Sequence, residues 1–276
     1  MIVRELPDGT ALVIAQEAHA DVAAQFAAHW GNAAFSQLSP YQSMVFGTIY
    51  HDSGHREMEA DLPIDVEKGL PYAFRGAPPA ARRREADPAN VNWIEGRDPY
   101  ASLIVQMHHN GLRKGRYNTV RARYADKPVA AAASQSAGGG GFESAVGDLE
   151  VWQRALIGQL GLDDAEARAA LWHNYRALQV FDLLSLHFCC DGFAGEQMRE
   201  VTVEQAPMGY GSDAAADLTL KQVGGDKVQI APYPFDVPEL AVSLTARRVP
   251  PATGEAAARA AYHRAPRELL TWTITG

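Results

Sequence analysis

Apolar positions along the chain repeat with two different periods, and the change of period divides it. From Gln16 to about Arg199 the spacing is that of helices, i, i+3, i+4, i+7. It predicts helices over Gln16–Trp30, Pro40–Asp52, Pro99–Leu112 and Asp164–Cys190, with a further one near Leu149–Leu160. Asp98 and Pro99 suit the N-cap and first helical position, Gly54 is a natural helix stop, and Asp163-x-x-Glu166 reads as a capping box. Residues 1–14 instead alternate around the turn signal Pro7-Asp8-Gly9 and predict a β-hairpin. From Leu218 onward alternation returns, in Leu218–Val223, Val228–Ile230, Ala241–Ala246 and Leu269–Thr275, with Gly224-Gly225-Asp226 as a turn. Residues 61–97 keep no period and read as a long loop, and 130–142 as a low-complexity surface segment. The expected architecture is mainly α: a helical bundle with a small antiparallel sheet made by the N-terminal hairpin and the C-terminal strands. Residues 1–200 would form the helical unit and 201–276 a small β appendage packed on it.

Several polar residues interrupt the apolar stripes. His19 precedes Val22, Ala23, Phe26 and Trp30 at helical spacing, so it points into the core. Asp52 follows Val45 and Ile49 by seven and three residues and also points inward, while His51 shares a side with Met44 and Gly47. His108 continues the stripe of Ala101, Ile104 and Val105; His109 lies beside the more polar Ser102. Asp182 sits in mid-helix on the face of Tyr175, Leu178 and Leu186, where an unpaired carboxylate is costly. A metal ion or a protonated histidine would neutralise it. Imidazoles with carboxylates suit iron, manganese, zinc or nickel, and two His with two Asp leave coordination positions open for water.

Composition narrows the class without choosing a chemistry. The 276 residues are 47% hydrophobic and 21% charged, which is globular and not disordered. A net charge of −8 argues against nucleic acid and anionic membranes as general partners. The only two cysteines, Cys189 and Cys190, are adjacent and provide neither a disulfide framework nor a Cys-rich zinc site. There is no basic stretch followed by an apolar run at the N-terminus, and no apolar run of the ~20 residues a membrane span needs, so the expected location is the cytoplasm.

The order His19, His51-Asp52, His108, Asp182 resembles the histidine–aspartate (HD) domain superfamily of metal-dependent phosphohydrolases. Phe181-Asp182-Leu183-Leu184-Ser185 is similar to its closing Asp-x-Leu-Ser, and His51-Asp52-Ser53-Gly54-His55 to its His-Asp-x-Gly-His variant. The resemblance implies an HD-like bundle holding one or two divalent metals on His19, His51, Asp52 and Asp182, with His108-His109 near a second ion. It implies catalytic roles for Asp52, as a carboxylate able to bridge two metals, and for His55, as proton donor. More narrowly, Gln16-x-x-His19, Pro63-Ile64-Asp65, Gly69-x-Pro71-x-x-Phe74 and Pro99-Tyr100-Ala101 resemble a bacterial family of unknown function.

The expected activity is therefore hydrolysis of a small phosphoester by metal-activated water. Arg75, Arg113, Lys114 and Arg116 are the cations nearest the expected mouth, and Glu57, Glu59, Asp61 and Asp65 form an acidic run read as a solvated face. The alternatives are an iron-dependent oxygenase on the same fold, or a metal- or ligand-binding protein without catalysis. In the last case Tyr210, Tyr233 and Phe235 would line the binding surface, although packing beneath the sheet is the stronger reading of those aromatics.

Overall fold

A computed structural model describes residues 1–55, 61–74, 76–77, 93–113, 120–124, 140–191, 197–211 and 214–276. Strands β1 (Ile2–Glu5) and β2 (Ala11–Ile14) form the expected hairpin, paired Ile2 to Ile14 and Glu5 to Ala11. Asp8 Oδ1 accepts from the Thr10 amide at 2.9 Å and from its hydroxyl at 2.6 Å, which closes the turn, with Gly9 at φ +82°. Helices α1 (Gln16–His29) and α2 (Tyr41–Tyr50) follow. Next come a helical turn at Ser53–His55 and a two-residue hairpin of β3 (Ile64–Asp65) and β4 (Leu70–Pro71). Then α3 (Pro99–Arg113), β5 (Arg121–Tyr124), α4 (Gly140–Gln159) and α5 (Ala165–Cys190) lead into β6 (Val201–Pro207), β7 (Ala215–Gly224), β8 (Lys227–Ala231) and β9 (Glu239–Val249). Helix α6 (Glu255–Arg264) and β10 (Arg267–Thr275) end the chain.

The expectation of a mainly α bundle with a small sheet is wrong. Eight strands join in one sheet, ordered β1-β2-β9-β10-β8-β7-β6-β5, antiparallel throughout except for the parallel β10–β8 pair. Its inner face buries Val201, Val203, Leu218, Leu220, Val228, Ile230, Val242, Leu244, Trp272 and Ile274 in one core with Phe26 of α1 and Phe181 and Phe188 of α5. The sheet curls round these two helices, since both of its edges meet the end of α5. Arg4 of β1 bonds the Cys190 carbonyl, and the Tyr124 ring of β5 lies 5.7 Å from that of His187. Strand β2 is buried on both faces: Leu12 and Ile14 enter this core, while Ala11 and Val13 face a second one built on Leu62, Ile64, Leu70, Ala258 and Tyr262.

Several sequence features become structural devices. Asp98 caps α3 through the Ala101 amide (2.9 Å), and the N-cap of α5 is Asp164 rather than Asp163, accepting from the Ala167 amide at 2.8 Å. Tyr100 accepts from Asn174 Nδ2 at 2.6 Å, which ties α3 to α5. Gly69, at φ +63°, lies against Ala252, whose carbonyl oxygen would be 2.4 Å from any added Cβ. Within the expected loop 61–97, the β3–β4 hairpin and Ala77 are ordered into the core; residues 75 and 78–92 lie outside the described residues, as do 130–139 of the low-complexity stretch. No helix among the described residues is long and apolar enough to cross a membrane.

Candidate metal centre

Four helical elements deliver one or two polar side chains each to a single point in the core. α1 contributes His19; the end of α2 contributes His51 and Asp52; α3 contributes His108; α5 contributes Asp182. All five are buried. Their meeting depends on a close helix contact: a Cβ on Gly47 of α2 would lie 3.4 Å from the Ala101 backbone of α3. That approach brings the His51 and His108 rings to 5.0 Å between centroids, and the His19 ring lies 5.2 Å from His51.

The ligand-type atoms converge. His19 Nε2 is 3.0 Å from Asp182 Oδ1 and 3.7 Å from Asp52 Oδ2; His51 Nε2 is 3.5 Å and 3.9 Å from the same two atoms. Two groups of three have all ligand atoms within 4.8 Å of one another, His19–His51–Asp182 and His51–Asp52–His108. Two ligands at about 2.1 Å from an ion and 90–110° apart are separated by about 3.0–3.4 Å. The observed spacings approach that arrangement before any adjustment to an ion.

The donor chemistry fits a cation. His51 Nδ1 lies 2.7 Å from the Thr48 carbonyl, which can only accept, so Nδ1 carries a proton. His51 Nε2 is buried, with Asp182 Oδ1 at 3.5 Å and Asp52 Oδ2 at 3.9 Å. In the neutral ring it presents a bare lone pair towards two carboxylates, an arrangement that repels unless a proton or a metal stands between. Burial alone would lower the His51 pKa, but the charge of Asp52 and the hydrogen bond and charge of Asp182 outweigh it and raise it to about 9. Burial likewise opposes ionisation of Asp182 and Asp52. For Asp182 the hydrogen bonds of His19 and His51 overcome it, and for Asp52 the charges of His51, His55 and His19, so both stay below the usual carboxylate range. In metal-free protein the His51 imidazole is thus protonated beside two carboxylates. A divalent ion would replace that proton.

His108 is different. Burial drives its pKa down to about 3, so it is neutral, the form in which an imidazole ligates. His109, which sequence spacing leaves undecided, donates Nε2–H to the His51 carbonyl at 2.8 Å and so holds the main chain between the two ligands of α2. The buried His55 is set at the carboxylate end of the site, its amide bonded to the Asp52 carbonyl at 3.0 Å. Burial lowers its pKa to about 4 against the pull of Asp52, so the resting ring accepts a proton where the sequence suggests a donor.

Other described candidates have partners elsewhere. His29 pairs with Asp236 at the surface (2.9 Å), Asp61 is bridged by Arg259, and Asp65 Oδ1 caps the amides of Glu67 and Lys68. Phe235 packs between Phe26 and Trp30, as expected of an aromatic beneath the sheet. Glu57, Glu59, Arg75, Lys114 and Arg116 lie outside the described residues, as does the side chain of Arg113.

Comparison with known proteins gives a family. The profile described as "Protein of unknown function (DUF3891)" matches residues 1–251, and the chain belongs to that family. No curated protein and no solved structure matches it.

Proposed function

We propose that this member of the DUF3891 family is a metal-dependent hydrolase of HD type, acting on a small phosphoester. The observation that carries the reading is the convergence of His19 and His51 Nε2 with the Asp52 and Asp182 carboxylates, four buried groups within 3.0–3.9 Å. Iron, manganese, zinc and nickel all suit this donor set. His19, His51, Asp52 and Asp182 would hold the first ion, and His108 stands ready beside His51 and Asp52 for a second. The order of these residues along the chain, His, His-Asp, His, Asp, supports the likeness to HD phosphohydrolases.

A divalent cation in this donor set supplies Lewis acidity, lowering the pKa of nearby water towards ~7 and polarising an ester oxygen. The protein supplies the rest. Asp52 and Asp182 retain side-chain exposures of 12% and 8% while the His19 and His51 side chains have 1% or none, so substrate approaches from the carboxylate side. His55 belongs to that side. Neutral at pH 7, it accepts the proton of the attacking water and returns it to the leaving oxygen as the phosphorus–oxygen bond breaks. The core packed round α1 and α5 holds the ligands rigid.

The test is metal analysis of purified protein, followed by a screen of generic phosphoesters with manganese, iron and zinc. Stoichiometric metal lost in a folded His51→Ala/Asp52→Ala variant, and activity abolished by Asp182→Ala, are expected. Protein that takes up no transition metal after reconstitution refutes the reading.

A further inference from the structure

Ser185 lies one turn beyond Asp182 on α5 and is fully buried. Its Oγ donates to the Asp182 carbonyl at 2.9 Å and lies 2.8 Å from His19 Nδ1. A hydroxyl has one proton, and the carbonyl can only accept it. Towards His19 the oxygen must therefore act as acceptor, which places a proton on Nδ1. His19 Nε2 is then the atom left to face Asp182 Oδ1 at 3.0 Å and Asp52 Oδ2 at 3.7 Å. With no solvent at the buried hydroxyl, no water competes for either bond.

We propose that Ser185 is a positioning residue that fixes the tautomer and ring orientation of His19, so that Nε2 is the ligand atom offered to the metal. The inference rests on the metal-binding reading above. His51 obtains the same result from a main-chain carbonyl, that of Thr48. At His19 Nδ1 the partner is a side chain, which makes this half of the site open to mutation. Because Ser185 is anchored to the carbonyl of Asp182, it ties the angle of one ligand to the backbone position of another.

The experiment measures Zn²⁺ affinity by competition with a chromophoric chelator, for the wild type, Ser185→Ala and Ser185→Thr. It is paired with the ring-nitrogen NMR spectrum of metal-free, ¹⁵N-histidine-labelled protein, with His19 assigned by its loss in His19→Gln. Removing an outer hydrogen bond to a ligating histidine lowers metal affinity about 10- to 100-fold, and that loss is expected for Ser185→Ala. Ser185→Thr keeps a hydroxyl able to bond back to the i−3 carbonyl within a helix and should stay within about threefold of wild type. The wild-type spectrum should show Nδ1 protonated, and Ser185→Ala should lose that fixed state. A merely structural serine would lower the melting temperature without moving the tautomer. Ser185→Ala binding Zn²⁺ as the wild type does, or an unprotonated Nδ1 in the wild type, overturns the role of Ser185 alone. A wild type that binds no Zn²⁺ overturns the metal reading and this proposal together.

Discussion

Metal binding at this site should displace a proton from His51, and the structure sets the size of the effect. The pKa of His51 stands at about 9 against an ordinary 6.5. At pH 7 the ring is therefore about 99% protonated in metal-free protein, and competition by that proton weakens the apparent metal affinity about 100-fold relative to the neutral ring. Affinity should rise about tenfold per pH unit from 7 towards 9 and then level off. The sign for the metal-free fold is opposite. A histidine whose pKa is raised on folding stabilises the folded state fully below 6.5, and the contribution is lost as pH rises through 9. The shift corresponds to roughly 3 kcal/mol. The gap in melting temperature between Zn²⁺-loaded and chelator-treated protein should accordingly widen between pH 6.5 and 9, measured by differential scanning fluorimetry. Calorimetric titration at pH 7 in buffers of different ionisation enthalpy should show about one proton released per ion from His51. A flat affinity across this range, with no proton release, would show that His51 carries no proton for the metal to displace.

Three further outcomes follow from named contacts. Asp182→Asn removes the carboxylate closest to His19 and His51; metal uptake should fall by at least about tenfold, and the metal-free protein should lose about 3 kcal/mol or more in chemical denaturation because buried imidazolium charge loses its partner. His55→Ala should lower the hydrolytic rate about 10²–10⁴-fold while metal content by mass spectrometry stays at wild-type stoichiometry, since this ring is assigned to proton transfer and not to ligation. Gly69→Ala combines an unfavourable φ of +63° with a Cβ 2.4 Å from the Ala252 carbonyl oxygen. It should cost about 1–3 kcal/mol of stability and leave metal affinity unchanged, because the clash lies in the second core.

The burial of the candidate ligands was legible because each lies on, or just past the end of, a helix that carries an apolar stripe. His19, His108 and Asp182 lie three, four or seven residues from buried aliphatic or aromatic neighbours, and Asp52 from the half-buried Val45 and Ile49; the three-dimensional structure buries all four. The partners that fix the ligands were not legible in the same way. The His109 bond to the His51 carbonyl spans 58 residues, and the Ser185 bond to His19 spans 166; helical periodicity carries no information on either. The sheet was underestimated for a related reason. β5 is four residues long with half-exposed, arginine-bearing positions, and β6 carries Thr202 between its buried valines and then Glu204 and Gln205, so neither presents a long apolar alternation. α6 is alanine-rich and buries only Ala258 and Tyr262, too thin a stripe to announce a helix. Closure of the strands into one curled sheet depends on distant pairs such as β2 with β9.

Binding of one divalent ion by His19, His51, Asp52 and Asp182 underlies every expectation above. Its most direct test is a crystal of the protein grown with Mn²⁺ or Zn²⁺ and measured at the metal's absorption edge. An anomalous peak is expected about 2.0–2.3 Å from Nε2 of His19, Nε2 of His51 and a carboxylate oxygen of Asp182. A map with no peak among these side chains, in protein shown to be folded and metal-saturated, would contradict it.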